Sequence, residues 1–383
     1  MRRLAGSAEF AGLLVQGLVT RRKTDLARLR ATLSLFAPDR IVGNFSRMGV
    51  VFNQRPVATH GPASALPPGP PAPLPSGWRD WIADRQVTAV VVLKDGQVRH
   101  EDYRLGTGAE DHRISWSVAK SWLSALLGIV MDHGAITSLD DPVTRYVPAL
   151  GASAYQGATI RQVLNMASGL AFNEDYLDFF SDINRMGRVL ALGGSMDAFA
   201  CGQRRRAAVP GARWQYCSID THVIGMVIRG ATGRDVADLM ETQLIAPLGL
   251  EGRPFYLVDG NGVSFVLGGL NMPTRDYARF GAMIAAGGRW NGRQIVPEPW
   301  VDQMLAPSAP ASPDCGGAYG YQWWLPDGSG PGECLARGIY GQYIHINRSL
   351  GTVIAVNAAD LRFRDPDRLT QDLAMLRALA SAL

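Results

Sequence analysis

Ser117 and Lys120 are the two residues of this sequence whose types and spacing first suggest chemistry. They stand three positions apart at the start of an apolar run, and residues i and i+3 of a helix share one face. A serine hydroxyl becomes a strong nucleophile when a neighbouring base takes its proton, and a lysine can be that base if burial lowers its pKa. The spacing therefore predicts a Ser117 nucleophile activated by Lys120. The N-terminus of the helix would favour an oxyanion formed beside it.

The composition around Lys120 supports this interpretation. The chain has three lysines, Lys23, Lys94 and Lys120, and uses arginine for almost every other cation. Arginine stays protonated, whereas a buried lysine can titrate near neutrality and act as a base. The residues after Lys120 are apolar on most of the helix circumference, as in a helix inside a domain. From these residues alone, a lysine that extends to the surface is the alternative.

Two later motifs could complete such a site. Tyr216 and Ser218 stand just before a capped helix, where the tyrosine could relay a proton and the serine could donate a hydrogen bond to an acyl oxygen. Residues 338–342 contain two glycines that would let a substrate backbone lie close, and the N–H of Gln342 could stabilise an oxyanion beside that of Ser117. A core aromatic and an ordinary glycine-containing edge strand are the alternatives for these motifs.

Length, composition and charge describe an ordinary globular chain. Its 383 residues, 47% hydrophobic and 19% charged, suit one large domain or two interlocked lobes. The net charge of +4 is spread along the chain, so no nucleic-acid partner is expected. No Gly-x-Ser-x-Gly, zinc-protease or phosphate-loop motif occurs. The scattered cysteines predict neither a metal site nor a disulfide framework. They are Cys201, Cys217, Cys315 and Cys334.

The N-terminus resembles an export signal only faintly. The apolar run of residues 13–19 is interrupted by Gln16 and Gly17, and three basic residues follow it instead of a small-residue cleavage site. We expect a cytoplasmic protein without a membrane span, with export or membrane association as the alternative. The sequence leaves the oligomeric state open, including a homodimer.

Hydrophobic periodicity divides the chain into three regions. Residues 1–77 are predicted to be an N-terminal extension that is helical up to about Phe36 and ends in a proline-rich linker. Residues 78–115 and 263–383 are predicted to form a sheet lobe, and residues 116–262 a helical lobe inserted across its edge. The expected fold class is α+β (or α/β) with two lobes, an antiparallel sheet flanked by helices. A site is expected in the cleft between the lobes.

Individual elements follow from local signals. Residues 87–93 and 97–103 flank the turn pair Asp95-Gly96, which predicts an antiparallel hairpin. Capping residues and apolar periodicity predict helices, and alternating or apolar runs predict strands. The predicted helices are 160–167, 220–230, 235–244 and 365–383, and the further predicted strands are 319–325, 338–347 and 352–358.

Three motifs, taken together, resemble the signature of the serine β-lactamase and penicillin-binding-protein superfamily. They are the pair Ser117 and Lys120, the pair Tyr216 and Ser218, and residues 338–342. Within it they are most similar to the class C-like branch of esterases and amidases, which includes 6-aminohexanoate-dimer hydrolases. The resemblance covers about residues 78–360. It implies a serine β-lactamase-like fold and a reaction that needs no metal or cofactor.

The resemblance also implies residue roles. Ser117 would be the acylated nucleophile, and Lys120 and Tyr216 would share proton transfer as a coupled pair whose first base is left open. The backbone N–H groups of Ser117 and Gln342 would form the oxyanion hole. In relatives a tyrosine on a comparable loop covers the substrate, and Tyr176 matches it. The substrate-binding candidates are Tyr176, Ser218, Tyr340 and Gly341.

Two departures from the family pattern shape the expected substrate. Ser218 stands where asparagine is usual, and Ile339-Tyr340 replaces the lysine and hydroxyl residue that bind the carboxylate of a β-lactam. The expected substrate is therefore a small-molecule ester or uncharged amide. The alternatives are a β-lactamase or D-alanyl-D-alanine peptidase, an acyltransferase, and a non-catalytic binding module.

Two further sequence features lie near the predicted site. The acidic residues Glu174, Asp175 and Asp178 could meet a substrate ammonium, or they could form a plain solvated loop. Trp323 and Trp324 are adjacent on a predicted strand, whose side chains alternate between faces. One of the two is therefore expected to wall the pocket and the other to face the core.

Overall fold

The structure, a computed structural model, describes residues 31–32 and 34–383. It combines antiparallel sheets with many short helices, in agreement with the predicted α+β class. The strands are β1 Gln54–Pro56, β2 Val87–Lys94, β3 Gln97–Tyr103, β4 Arg113–Ile114, β5 Phe255–Leu257, β6 Leu270–Met272, β7 Arg289–Trp290, β8 Arg293–Gln294, β9 Gly317–Gly320, β10 Trp323–Pro326, β11 Glu333–Gly338, β12 Gln342–Asn347 and β13 Thr352–Ala358.

Helices cover the sheets and build the second lobe. The α-helices are Ile41–Phe45, Met48–Val51, Trp78–Asp84, Val118–Asp132, Val143–Tyr146, Ile160–Leu164, Asp182–Ala191, Met196–Cys201, Ser218–Thr232, Val236–Met240, Ala246–Leu248, Thr274–Ala285, Glu298–Met304 and Arg368–Ala382. Two 3₁₀ turns, Pro148–Ala152 and Pro313–Cys315, and a π-helical turn, Glu241–Ile245, complete the set. In the described part of the chain, no helix is both long and apolar enough to span a bilayer.

A seven-stranded antiparallel sheet forms the centre of the molecule, in the order β3-β2-β13-β12-β11-β10-β9. Its inner strands β2 and β13 are buried along almost their whole length because helices cover both faces. The Thr274–Ala285 helix packs on one face. The other face is covered by the helices Trp78–Asp84 and Arg368–Ala382, which contribute Trp78, Trp81 and Leu376. Burial on both faces explains why these strands are continuously apolar.

The hairpin prediction is confirmed. β2 and β3 pair antiparallel, and the connecting residues Asp95 and Gly96 have φ values of 51° and 76°. Two successive positive φ values match the twist that a two-residue hairpin turn requires, and glycine and aspartate tolerate them best. β13 is also confirmed, and the predicted C-terminal helix is present as Arg368–Ala382.

Two strand predictions near the site need correction. The predicted strand 319–325 is two strands, β9 and β10, joined by a turn in which Gln322 has a φ of 66°. The predicted strand 338–347 is interrupted after Gly338, and Tyr340 turns the chain into β12 with a φ of 62°. Non-glycine residues rarely adopt such values, so the local sequence did not signal either turn.

The helical lobe agrees with prediction except at helix ends. Thr159 caps the predicted helix 160–167 and forms a capping box with Gln162, but the helix ends at Leu164 instead of residue 167, because Met166 has a φ of 55°. The predicted helix 220–230 extends to Ser218–Thr232. The predicted helix 235–244 is present as Val236–Met240 and continues as the π-helical turn.

Part of the region predicted to be an N-terminal extension packs into the main core. Ile41, Phe45 and Met48 are buried in the large hydrophobic cluster, and β1 pairs with β5 in a four-stranded sheet ordered β1-β5-β6-β4. The proline-rich segment lies along β3, where Gly69 and Ala72 donate backbone hydrogen bonds to it. This segment therefore covers one edge of the central sheet. Most of the helical stretch predicted up to Phe36 lies outside the described residues.

Candidate active site

Ser117 stands where the chain passes from β4 into the Val118–Asp132 helix, which we call the Ser117 helix. It occupies the N-cap position, and the preceding Trp116 has a φ of 42°. A bulky residue at positive φ costs on the order of 1–3 kcal/mol and persists only when packing enforces it. The rings of Phe36, Phe45 and Tyr340 surround Trp116 and provide that packing. The strained turn leaves the half-buried Ser117 side chain facing open cavities.

Lys120 lies beneath Ser117 with its amine enclosed. Its Nζ donates hydrogen bonds to Ser117 Oγ and to the carbonyl oxygen of Leu267, each at 2.8 Å. The side chain does not extend to solvent, since the residue is only 2% exposed. Burial lowers the pKa of the Lys120 ammonium to about 7, although the carboxylate of Glu174 opposes this shift. A neutral amine is therefore well populated at neutral pH beside the serine hydroxyl.

Tyr216 joins the pair from the loop before the Ser218–Thr232 helix. Its ring centroid lies 5.4 Å from Lys120 Nζ, and its phenol interacts with the Ser117 side chain. The ring stacks on Trp324 at 5.4 Å. Burial raises the pKa of the Tyr216 phenol above its ordinary value. The tyrosine is therefore a protonated phenol at neutral pH, suited to donate and relay a proton.

Glu174 also belongs to the site. Its carboxylate accepts hydrogen bonds from the Ser218 backbone N–H at 2.9 Å, from the Ser218 hydroxyl, and from the Tyr176 hydroxyl at 2.6 Å. Burial raises the pKa of the Glu174 carboxyl, and the nearby charge of Lys120 opposes that effect. Glu174 is thus held against the segment that carries Tyr216 and Ser218, and it does not form part of a plain solvated loop.

The other two acidic residues of that loop have different partners. Asp175 accepts a hydrogen bond from the backbone of Leu177 and pairs with Arg364 at 3.4 Å. Asp178 accepts one from the backbone of Phe180. Of the acidic cluster in the sequence, only Glu174 therefore faces Ser117 and Lys120.

Ser218 and Tyr176 are both in the site, but their hydroxyls donate to Glu174. The Lys120 amine donates to Ser117 and Leu267, and not to Ser218. Ser218, which stands where the resemblance implies an asparagine, is thus bound to Glu174 by its backbone N–H and its hydroxyl. Because 44 residues separate Ser218 from Glu174, local sequence spacing gave no sign of this pair.

The third motif brings Gly338 against the start of the Ser117 helix. A Cβ at Gly338 would lie 2.7 Å from the Ser115 carbonyl oxygen and 3.1 Å from the Ser117 nitrogen, so only glycine fits. Gly338 and Ile339 both line the cavity at Ser117. The third motif therefore supplies backbone directly beside the nucleophile.

Gln342 and Gly341 occupy different places from those expected. Gln342 pairs with Gly338 across the hairpin, and its side-chain amide donates to the carbonyl oxygens of Tyr340 and Ala358. Neither of the two cavities at Ser117 is lined by Gln342 or Gly341. The part of the hairpin at the cavity wall is thus Gly338, Ile339 and Tyr340, because the predicted strand is interrupted by a turn at Tyr340.

Two cavities meet at Ser117. One, of about 460 Å³, is lined by polar and aromatic side chains that include Glu174, Tyr216 and Trp324. The other, of about 370 Å³, is lined mostly by apolar side chains. Ser117, Tyr176 and Ile339 line both. Such volumes are typical of small-molecule sites. No group of His, Cys, Asp or Glu that could hold a metal ion occurs in residues 31–32 and 34–383.

Arg337 is a site residue that sequence reasoning missed. Ile339 and Tyr340 supply no cation to the third motif, but Arg337 directly precedes Gly338 on β11 and lines the polar cavity. Its guanidinium lies 5.2 Å from the ring centroid of Trp324. Trp324 thus walls the cavity while Trp323 is fully buried, as the alternation of strand side chains predicted. The sequence signal that could have indicated it is a cation directly before Gly338.

Known proteins share this fold and sequence pattern. A family model described as Beta-lactamase matches residues 79–378. The chain is 32% identical over 292 residues to the 6-aminohexanoate-dimer hydrolase of Paenarthrobacter ureafaciens, an alignment that spans 73% of each protein. A proposed 6-aminohexanoate-dimer hydrolase structure from Bacillus anthracis is 20% identical with a TM-score of 0.77, covering 90% of this chain and 95% of that one.

A more distant structure, the octameric penicillin-binding protein homologue of Pyrococcus abyssi, is 20% identical with a TM-score of 0.61, covering 78% of this chain and 75% of that one. At 20% identity, the two similar structures show a shared fold. The family model matches most of the chain, including Ser117, Lys120 and Tyr216. The chain therefore belongs to the β-lactamase family, and it is a hydrolase of amides or esters.

Proposed function

We propose that the protein hydrolyses its substrate through an acyl-enzyme formed on Ser117, with Lys120 as the first base. The observation that carries this proposal is the 2.8 Å contact between Ser117 Oγ and the buried amine of Lys120, whose pKa is lowered to about 7. A base that titrates near the working pH is the most effective general base. Tyr216 is less suited to the first proton transfer, because burial raises the pKa of its phenol.

In this mechanism the neutral Lys120 takes the hydroxyl proton as Ser117 Oγ forms a bond to the carbonyl carbon. The bond to the leaving nitrogen or oxygen then breaks as that atom receives a proton from Tyr216, and the lysine ammonium restores the phenol proton. A water molecule attacks the acyl-enzyme in the second half-reaction, and the same groups carry its proton back to Ser117. Proton balance is complete without any external acid or base.

The oxyanion hole in this proposal uses the backbone N–H groups of Ser117 and Ile339. Ser117 begins the helix, where free N–H groups and the helix dipole favour negative charge. Ile339 follows Gly338, whose backbone lies close to the Ser117 nitrogen, and it lines both cavities. The sequence had indicated Gln342 as this donor, but its place across the hairpin favours Ile339.

The proposed substrates are amides or esters of linear amino acids. The relative that is 32% identical is named for the dimer of 6-aminohexanoate, a linear amide with an ammonium and a carboxylate at its ends. The polar cavity offers Glu174 and Arg337 as charges of opposite sign. Of these two, Arg337 would bind the carboxylate of such a substrate, since charge-assisted hydrogen bonds are the stronger ones.

A β-lactamase or D-alanyl-D-alanine peptidase is the second candidate function, and Arg337 is the observation that favours it. A β-lactam carries a carboxylate, and Arg337 supplies a cation on β11 that the sequence motif had not suggested. Turnover of nitrocefin at a rate comparable to that of amide substrates would support this candidate. Its absence would leave the amidase and esterase activity.

The test of the proposal compares the wild type with Ser117→Ala on p-nitrophenyl acetate and butyrate, with intact-mass detection of an acyl adduct. We expect turnover and one acyl group on the wild type, and neither on the mutant. Equal turnover by both proteins, or no adduct under any condition, would contradict the mechanism and favour a binding module. Product analysis with added alcohols or amines would reveal acyl transfer in place of hydrolysis.

A further inference from the structure

The apolar cavity at Ser117 is built from two chain segments that the sequence had not connected with catalysis. Its volume is about 370 Å³. One wall is the N-terminal region that was predicted to be an extension, and the facing wall is the Asp182–Ala191 helix. The principal apolar side chains are Leu35, Met48 and Phe52 on the first wall and Ile183, Met186 and Leu190 on the second.

Polar side chains in this wall already have partners in the neighbouring loop. Asn184 donates its side-chain amide to the carbonyl oxygens of Tyr176 at 3.0 Å and Asp178 at 2.8 Å. Arg188 donates to the carbonyl oxygen of Phe179 at 2.7 Å, and its guanidinium lies 4.2 Å from the centroid of that ring. The cavity away from Ser117 therefore presents hydrocarbon to whatever enters it.

The position of the proton donor Tyr216 indicates which half of the substrate lies in the polar cavity and which lies in the apolar cavity. Tyr216 lines the polar cavity and is absent from the wall of the apolar one. In the mechanism above, the leaving group must receive its proton from Tyr216, so it must lie in the polar cavity. The acyl group is on the opposite side of the scissile bond and points away from the leaving group. It therefore enters the apolar cavity.

We infer that the apolar cavity is an acyl-binding subsite for a hydrocarbon chain, completed by Leu35, Met48 and Phe52 of the N-terminal region. This inference rests on the proposed acyl-Ser117 mechanism. It adds a substrate class, esters and amides with an extended apolar acyl group, and assigns specificity to a region outside the predicted hydrolase domain. Each methylene buried in such a cavity raises kcat/KM by about fourfold.

The test measures kcat/KM for p-nitrophenyl acetate, butyrate, hexanoate and octanoate with the full chain. We expect kcat/KM to rise along the series until the cavity is full, by at least tenfold in total. A flat or falling series, with acetate still forming an acyl adduct on Ser117, would overturn the subsite and leave the mechanism intact. No adduct with any of the four esters would instead overturn the mechanism.

A variant that fills the apolar cavity tests whether the preference for longer acyl chains arises there. Gly187 lines it, and no atom lies within 4 Å of a Cβ placed there, so Gly187→Leu has room for its side chain. We expect this variant to lower the ratio of octanoate to acetate kcat/KM at least tenfold. Gly43→Leu is the matched control, since Gly43 is an exposed helical glycine with equally open surroundings outside the cavity.

A second pair of variants tests the N-terminal wall. Met48 lines the cavity, whereas Val50, two residues later, is 84% exposed. We expect Met48→Ala to alter the position of the maximum in the chain-length series and Val50→Ala to leave the series unchanged. Identical series for Met48→Ala and the wild type would remove the N-terminal segment from the subsite.

Discussion

At the scale of single residues, the chemistry depends on two opposing influences on Lys120. Burial removes water from its ammonium and lowers its pKa, while the carboxylate of Glu174 favours the charged form and raises it. The balance brings the pKa to about 7, so a neutral amine is available near neutral pH. Glu174 therefore tunes the base in addition to holding Ser218 and Tyr176.

The pH dependence of kcat/KM for p-nitrophenyl acetate should reveal this balance. We expect activity to rise with pH through a midpoint near 7, because the base must lose its proton. In Glu174→Gln the negative charge is gone, so the ammonium is less favoured and the midpoint should move to lower pH. An unchanged or raised midpoint would show that Glu174 does not act on the base.

Asp175→Asn is the matched control for that profile. Asp175 lies next to Glu174 in sequence but pairs with Arg364 outside the catalytic cluster. Its substitution removes one negative charge from the same loop. We expect the midpoint of the control to stay at the wild-type value, which separates a local effect from a change in net charge.

At the scale of elements, the site depends on how closely β11 approaches the start of the Ser117 helix. Gly338 is the point of contact, because any side chain there would overlap the Ser115 carbonyl and the Ser117 nitrogen. The approach places the backbone after Gly338 beside the nucleophile. Oxyanion donors act only when they lie within hydrogen-bond distance of the developing charge.

Gly338→Ala should therefore damage catalysis by displacing β11 from Ser117. A misplacement of about 1 Å can reduce turnover on the order of 100-fold, so we expect kcat for p-nitrophenyl butyrate to fall at least tenfold. Gly330→Ala is the control, because a Cβ at Gly330 meets no atom within 4 Å. Full activity of Gly338→Ala, measured at equal melting temperature, would show that close approach is unnecessary.

At the scale of the whole molecule, a buried polar cluster fixes the C-terminal helix to the central sheet. Asp372 is 2% exposed and accepts hydrogen bonds from Trp81 at 2.8 Å, from Arg85, and from Tyr343 at 2.9 Å. These three partners come from a helix before β2, the chain after that helix, and β12. The cluster thus joins the two ends of the domain across one face of the sheet.

Asp372→Ala should lower the free energy of unfolding by about 3 kcal/mol, since it removes the acceptor of three buried donors, the indole of Trp81, the Nε of Arg85 and the hydroxyl of Tyr343. Arg85 keeps its ion pair with Asp84. Urea denaturation measures this change. Asp302→Ala provides a comparison, because the ion pair between Asp302 and Arg348 is largely exposed and should contribute no more than about 1 kcal/mol. Equal effects of the two substitutions would refute a structural role for the buried cluster.

The sequence by itself determined those features that depend on residues close together in the chain. Ser117 and Lys120 share a face because helix geometry brings residues three apart together, and the structure has them at 2.8 Å. The turn pair Asp95-Gly96 and the helix that starts at Ile160 were likewise predictable, because the residues that define each of them are neighbours in the chain. The resemblance to a family then supplied the order of the three motifs and with it the fold.

Only the tertiary structure decided which distant residues join that local pair. Glu174 reaches Ser218 across 44 residues, and Arg337 lines the polar cavity over the ring of Trp324. After β11 the chain turns at Tyr340, which has a φ of 62°. That strained turn is sustained by stacking of Tyr340 on Phe36 at 5.0 Å, a contact between opposite ends of the chain. Helix and turn geometry act over a few residues, whereas loop positions and strained backbone depend on contacts that exist only after the whole chain has folded.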